Sequence, residues 1–235
     1  MSDELLVKRL GIVPYLEAWE LQKELAEQRR RQEIPDVLLL LEHPPTYTRG
    51  RRSKPGELPM GIEWYEAQGI EVHDTDRGGL VTYHGPGQLV AYPIVDLAGY
   101  GDDVHAYVRG LEQVTIGALG EAGVPARTID GLTGVWTEGD PPPTLSSTPA
   151  RKIASIGLHV SRGITTHGLA INVENDLQPF GWIVPCGIEG VAMTSVSQEC
   201  GGARLADLAE LFVARYGLEL ERSPGGQKSP ALTQE

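Results

Sequence analysis

The stretch Lys152–Asn172, KIASIGLHVSRGITTHGLAIN, holds two β-like runs, Lys152–Val160 and Thr166–Asn172, too close together for a helix to fit between them. Working outward, Gly134–Thr137 comes just before them, and Asp36–Leu41, Leu80–Tyr83 and Gln88–Val95 carry the same signature nearer the N-terminus. Pro93 inside the last of these argues for an edge strand or a bulge, because proline has no N–H for a ladder. Three stretches repeat with a helical period instead. After Pro14, Tyr15, Ala18, Trp19, Gln22, Leu25 and Ala26 share a face as far as Arg30. Behind Asp102 or Asp103 as cap, Val104, Tyr107, Val108, Leu111, Val114 and Ala118 do so up to Gly123. A third helix is predicted from Ala203 through Leu205, Leu208, Ala209, Phe212 and Tyr216 to Gly217. Strands that follow one another in groups, with a helix between the groups, point to an α+β fold with a mixed sheet flanked by helices.

The chain has 235 residues, 40% hydrophobic and 22% charged, enough for one core that buries around 70% of the unfolded surface. A single catalytic domain is expected over residues 1–221, with a loose Pro-rich loop at 138–150 and a disordered tail at 222–235. The longest apolar run, Val37–Leu41, is far too short to span a bilayer, and Met1–Leu10 lacks a leader pattern. A cytoplasmic protein is expected, with Cys186 and Cys200 as free thiols and no Cys/His spacing suited to zinc. A net charge of −12 argues against nucleic-acid or anionic-membrane partners. No G-x-x-x-x-G-K-[ST] occurs, and His84-Gly85-Pro86-Gly87 lacks the third glycine of a dinucleotide loop.

Candidate chemistry clusters in four places. Arg77-Gly78-Gly79-Leu80-Val81-Thr82-Tyr83-His84 brackets a strand with glycines, which would let backbone approach a bound group; a tight hairpin with a satisfied histidine accounts for the same residues. Lys152 opens a strand, where lysine is ordinarily solvated, and Ser155-Ile156-Gly157 follow it. His167, Gly168, Leu169 and Ala170 sit at what reads equally well as a plain strand entry. Cys186 lies between Pro185 and Gly187, where a sharp turn can expose a thiol and aim amide N–H groups at an oxyanion. Cys200, before Gly201 and Gly202 at what reads as a helix entry, is its internal rival.

The runs RGGLVTYHGPGQLVAYPIVDL, KIASIGLHVSRGITTHGLAINV and FGWIVPCGI occur in this order and resemble the signature segments of the lipoyl(octanoyl) transferase family. The resemblance extends from about Leu38 to Leu218. It implies the fold of biotin and lipoate protein ligases. It also implies transfer of an octanoyl group from acyl carrier protein to the lysine of a lipoyl domain, on E2 subunits or the glycine-cleavage carrier protein. By motif match, Cys186 takes the nucleophile's place, carrying the acyl group as a thioester, and Lys152 that of its activating lysine. Arg77 to His84, Ser155-Ile156-Gly157 and Gly168-Leu169-Ala170 take the places of substrate contacts, with His167 and Gly187 in support. No cofactor or metal is implied, because the acyl group arrives already activated on phosphopantetheine. The Pro-rich insertion and the tail have no counterpart in the family pattern. An ATP-dependent lipoate or biotin ligase, or a cysteine thioesterase, would share parts of this residue set, and a lipoyl-protein binding module would need none of its chemistry.

A free thiol near pKa 8.5 is mostly protonated at neutral pH, so a neighbouring ammonium would favour the thiolate nucleophile. Glycines 78, 79, 157 and 168 are expected to leave room for the acyl chain. Because net attraction cannot bring two acidic proteins together, Arg49, Arg51, Arg52 and Lys54, with Arg29, Arg30 and Arg31, are expected to form a local positive rim.

Overall fold

The computed structural model describes residues 5–142, 149–184, 191–202 and 204–220. Asp36–Glu42 (β2) has its run of Val37 to Leu41 buried on both sides. Alternate side chains serve opposite faces, as the period of two in a strand requires. Leu38 and Leu40 join a core with the helices Val104–Glu121 (α3) and Leu205–Glu219 (α5); Val37, Leu39 and Leu41 join one with Tyr15–Arg30 (α1).

β2 belongs to a seven-stranded sheet with Leu5–Ile12 (β1), Gln88–Ile94 (β6), Ala126–Ile129 (β7), Leu132–Thr137 (β8), Lys152–Ser161 (β9) and Ile164–Asn172 (β10). The order is β1-β2-β6-β10-β9-β8-β7. Only β1 and β2 run parallel, so the sheet is mixed, as expected. A second sheet joins Thr46–Arg49 (β3), Glu71–Asp74 (β4) and Thr82–His84 (β5) in the order β4-β3-β5. Its aromatic core holds Tyr47, Tyr83 and Phe180, together with Tyr65 from the short helix Ile62–Ala67 (α2). A one-turn helix, Val196–Cys200 (α4), precedes α5.

Several boundaries differ from the sequence reading. Of the two candidate caps for α3, Asp103 takes the role, accepting from the His105 and Ala106 N–H groups. α5 runs past Gly217 to Glu219, because a glycine inside a packed helix weakens it without ending it. β1, β3, β4 and β7 add strands that the apolar pattern did not reveal. Pro93 lies on an interior strand, not an edge. The ladder adapts around it: β6 and β10 pair from Leu169↔Ala91 to Asn172↔Gln88 and meet again where the Thr165 N–H donates to the Val95 carbonyl. Between them His167 turns to φ 55°, and its N–H goes to the Gln22 side chain at 2.6 Å.

The Pro-rich loop has a fixed stem. Asp140 bridges Pro149, and the Ala150 N–H donates to the Asp140 carbonyl at 2.8 Å with Ala150 buried. Residues 143–148, between these anchors, and the expected tail at 222–235 lie outside the described residues. No described helix is long and apolar enough to cross a membrane.

Candidate active site

A cavity of about 170 Å³ opens where the second sheet meets β9 and β10. Its wall brings together the first two segments singled out in the sequence: Arg77, Gly79, Leu80, Val81, Thr82 and His84; Ser155, Ile156 and Gly157; His167, Gly168, Leu169 and Ala170; and Lys152. Two expected contacts are not part of it. Strand alternation turns Tyr83 away from Thr82 and His84 into the aromatic core, 5.5 Å from Tyr47 and from Phe180. Gly78 is spent on packing, its N–H donating to the Leu158 carbonyl at 2.9 Å.

Lys152 is buried, against the usual fate of a lysine at a strand start. Its Nζ donates to the Thr133 carbonyl at 3.0 Å and lies 5.2 Å from the centre of the Trp136 ring. Its backbone is held as firmly, since the N–H donates to the Ala192 carbonyl and the carbonyl accepts from the Thr194 N–H. Residues 191–194 are therefore laid along the lysine. Cys186 and Gly187 lie outside the described residues. Cys200 closes α4, before the left-handed Gly201, instead of opening a helix; it is exposed and not part of the cavity wall.

Arg77 is a buried cation that organises its own loop. Its guanidinium donates to the carbonyls of Gly78 and Leu80 at 2.9 and 2.7 Å, and to the Thr48 Oγ1 at 2.8 Å. His84 is buried as well. Burial, then the charges of His43 and Arg77, push its pKa well below the usual histidine range, so it is neutral. Gln88 fixes the tautomer: its Nε2 donates to Tyr83 and Asn172, leaving Oε1 to accept from His84 Nδ1 at 2.8 Å.

His167 forms a second fixed array. Its Nε2 meets Asp76 Oδ1 at 2.7 Å, and its Nδ1 lies 3.4 Å from the Tyr15 hydroxyl. Burial is the main influence on His167 and lowers its pKa against the pull of Asp76. The hydrogen bond from His167 is the main reason Asp76 sits at about 2, and burial holds Tyr15 up at about 12. At neutral pH the array is thus a carboxylate, a neutral imidazole donating from Nε2 and a phenol donating to Nδ1; a hydrogen bond, not an ion pair, joins Asp76 to His167.

Gly79 lines the cavity with room for a Cβ, but Gly157 and Gly168 act differently from expectation. A Cβ at Gly157 would fall 2.7 Å from the Gly78 carbonyl oxygen, and one at Gly168 would overlap the Ala91 carbonyl oxygen. Their missing side chains let backbones touch and so shape the wall; they do not themselves open a tunnel.

Tyr15, Arg52, Tyr92, Trp136, Gly131 and the first residues of β8, Leu132 and Thr133, also line the cavity, although sequence reasoning did not place them there. Tyr15 lies on the apolar face of α1 and reads as core, and Gly131-Leu132-Thr133 has no motif. The expected basic rim is smaller than its sequence suggests. Arg29 is buried against Asp36 at 2.6 Å, Arg30 and Arg31 pair with Glu27, and Arg49 pairs with Asp74. Arg51, Arg52 and Lys54 stay exposed, Arg52 beside the cavity.

Comparison with known proteins fits this geometry. The lipoyl protein ligase A/B catalytic domain family matches residues 14–216. The chain belongs to that family. Similar members include a protein named octanoyltransferase from Chloroflexus aurantiacus, 46% identical over 215 residues, which cover 91% of this chain and 92% of the relative. Another, from Mycobacterium leprae, is 48% identical over 195 residues, covering 83% and 78%. Among solved structures, a bi-partite lipoate protein ligase from Thermoplasma acidophilum superposes with a TM-score of 0.70 at 16% identity, covering 97% of this chain and 88% of that one. That likeness shows the fold, which is the lipoate-ligase fold the sequence led us to expect.

Proposed function

We propose that this family member takes an octanoyl group from acyl carrier protein onto Cys186 and passes it to the lysine of a lipoyl domain on an E2 subunit or the glycine-cleavage carrier protein. Octanoyl transfer is the activity named for its curated relatives, and it makes the chain an acyltransferase. The observation that carries the reading is the convergence of two separated signature segments on one cavity that has the buried Lys152 in its wall.

In the first step the Cys186 thiolate attacks the thioester carbonyl. The carbon–sulfur bond to pantetheine breaks, and the leaving thiolate takes a proton from the Lys152 ammonium. In the second step the acceptor lysine's neutral amine attacks the enzyme thioester. Its surplus proton passes to Lys152, and Cys186 leaves as thiolate. Lys152 gives a proton and then regains one, so the enzyme ends as it began. The donor is already activated and the cycle calls for no nucleotide. An apolar wall of Leu80, Val81, Ile156 and Leu169 suits an aliphatic chain, each buried methylene contributing about 0.8 kcal/mol. The exposed Arg51, Arg52 and Lys54 suit an acidic carrier protein.

Intact-protein mass spectrometry after mixing with octanoyl carrier protein tests this. One added octanoyl group, mapped to Cys186 and absent from Cys186→Ser, is expected. Labelling that persists in the variant moves the nucleophile elsewhere. Product from free octanoate, ATP and magnesium returns the protein to the nucleotide-dependent ligases.

A further inference from the structure

α3 presents a buried carboxylate, Glu112, among the mainly apolar residues that it buries. Its Oε1 accepts the N–H of Gly134 at 2.9 Å. The carbonyl next to that N–H, Thr133 O, accepts from Lys152 Nζ at 3.0 Å. These are the two ends of one planar amide, and the oxygen and hydrogen of a trans peptide point in opposite directions. An anion thus grips the hydrogen end and a cation the oxygen end of the same group, an arrangement in which each bond polarises the other.

Gly134 makes this possible. It sits at φ 117°, and a Cβ there would fall 2.7 Å from Lys152 Cε and 2.6 Å from the Ala154 carbonyl oxygen. The lysine stem therefore lies directly over the amide that joins it to Glu112.

We propose that Glu112 is a positioning residue for Lys152, holding its ammonium in place and in its charged form through the Thr133–Gly134 peptide group. The inference rests on the reading of Lys152 as the cation of the transfer reaction. Glu112 is not part of the cavity wall, so Lys152 gains the support of a carboxylate that no substrate meets. Burial is the largest influence and leaves the carboxyl's pKa raised, with the Gly134 N–H and then Lys152 opposing it. Among the described residues, Arg109 acts on Glu112 from its own helix, and Arg52 and Arg77 line the cavity with Lys152. His84 and His167 face the cavity from β5 and β10 with their pKa values lowered, and Arg151, next to Lys152 on the chain, is paired with Glu199 at 2.8 Å.

The test is Glu112→Gln, which keeps the volume and an oxygen for Gly134 but removes the charge. The basic limb of kcat/KM for octanoyl transfer against pH should move down by roughly a few tenths of a unit, less than the roughly one to three units of an opposite charge at about 4–6 Å, because a whole peptide group separates the two charges. In protein carrying 13C-labelled lysine, the Lys152 Cε signal should titrate at correspondingly lower pH in the variant. In the unaltered protein the Gly134 amide signal should shift with the same midpoint as Lys152, a measurement that does not depend on the variant folding. A purely structural Glu112 would leave the profile and the lysine titration where they were, and either result in a folded variant overturns the proposal, as does a Gly134 amide that does not move through the Lys152 midpoint. Full activity in Lys152→Met would instead remove the catalytic reading of the lysine, while the titrations would still report the coupling.

Discussion

Acid should loosen this protein through His43 before its carboxylates are neutralised. His43 is fully buried, its Nδ1 donating to the Val13 carbonyl at 2.7 Å and its Nε2 accepting from the Tyr92 hydroxyl at 2.8 Å. Burial holds its pKa down at about 4, whereas an unfolded histidine titrates near 6.5. Above about pH 6.5 both states are neutral and the site has no pH dependence. As pH falls from there toward 4, the unfolded chain binds a proton that the folded one refuses, so stability is lost over that window. At about 1.4 kcal/mol per unit, roughly 3 kcal/mol is lost by pH 4.5. For a chain of this size that lowers Tm by roughly 6–12 °C. Thermal unfolding of the unaltered protein and His43→Gln, at steps from pH 7.5 to 4.5, removes the share of the slope that belongs to His43, together with the smaller part of the His84 shift that His43 supplies. The two curves should converge as the pH drops, the variant having lost that share of the slope. Parallel curves would refute the reasoning, meaning that His43 takes up its proton without unfolding the chain.

Gly168→Ala should lower stability by about 1–3 kcal/mol, the usual cost of overfilling a packed site, because the new methyl meets the β6 backbone at Ala91 and also falls 2.7 Å from Pro93 Cδ. If this glycine left open space for the acyl chain instead, calorimetry would find Tm unchanged and only chain-length preference altered. Reversing Arg51 and Arg52 together to Glu should raise KM for the carrier protein several-fold with kcat kept, and added salt should shrink the difference. A salt-independent KM equal to that of the unaltered protein rejects docking at this rim.

Regular periodicity made the large elements legible. The apolar faces of α1 and α3 and the Asp103 cap were readable because each depends on neighbours in sequence. The same holds for β6, β9 and β10, with their long apolar runs. β3 and β4 were not, since four-residue strands such as TYTR and EVHD gain their stability from pairing with distant chain. β1 was hidden by Lys8 and Arg9, whose side chains an edge strand can leave in water. At the site, the motif segments marked the wall, but burial of Lys152 depends on Trp136 and Thr133 of β8, which lie far from it in sequence. Glu112 left one signal: it lies four residues after Val108 on the helix face that Leu111 and Thr115 bury, where a carboxylate calls for a partner. The fate of the arginines was the least legible, because whether Arg29 faces solvent or Asp36 depends on where helix and strand finally rest.

The left-handed turn of His167 fixes more than a hydrogen bond. An imidazole aimed by main-chain torsion, and clasped by Asp76 on one nitrogen and Tyr15 on the other, cannot swing aside by side-chain rotation without giving up both partners. That part of the cavity is a template rather than a cushion, a contour set by the main chain.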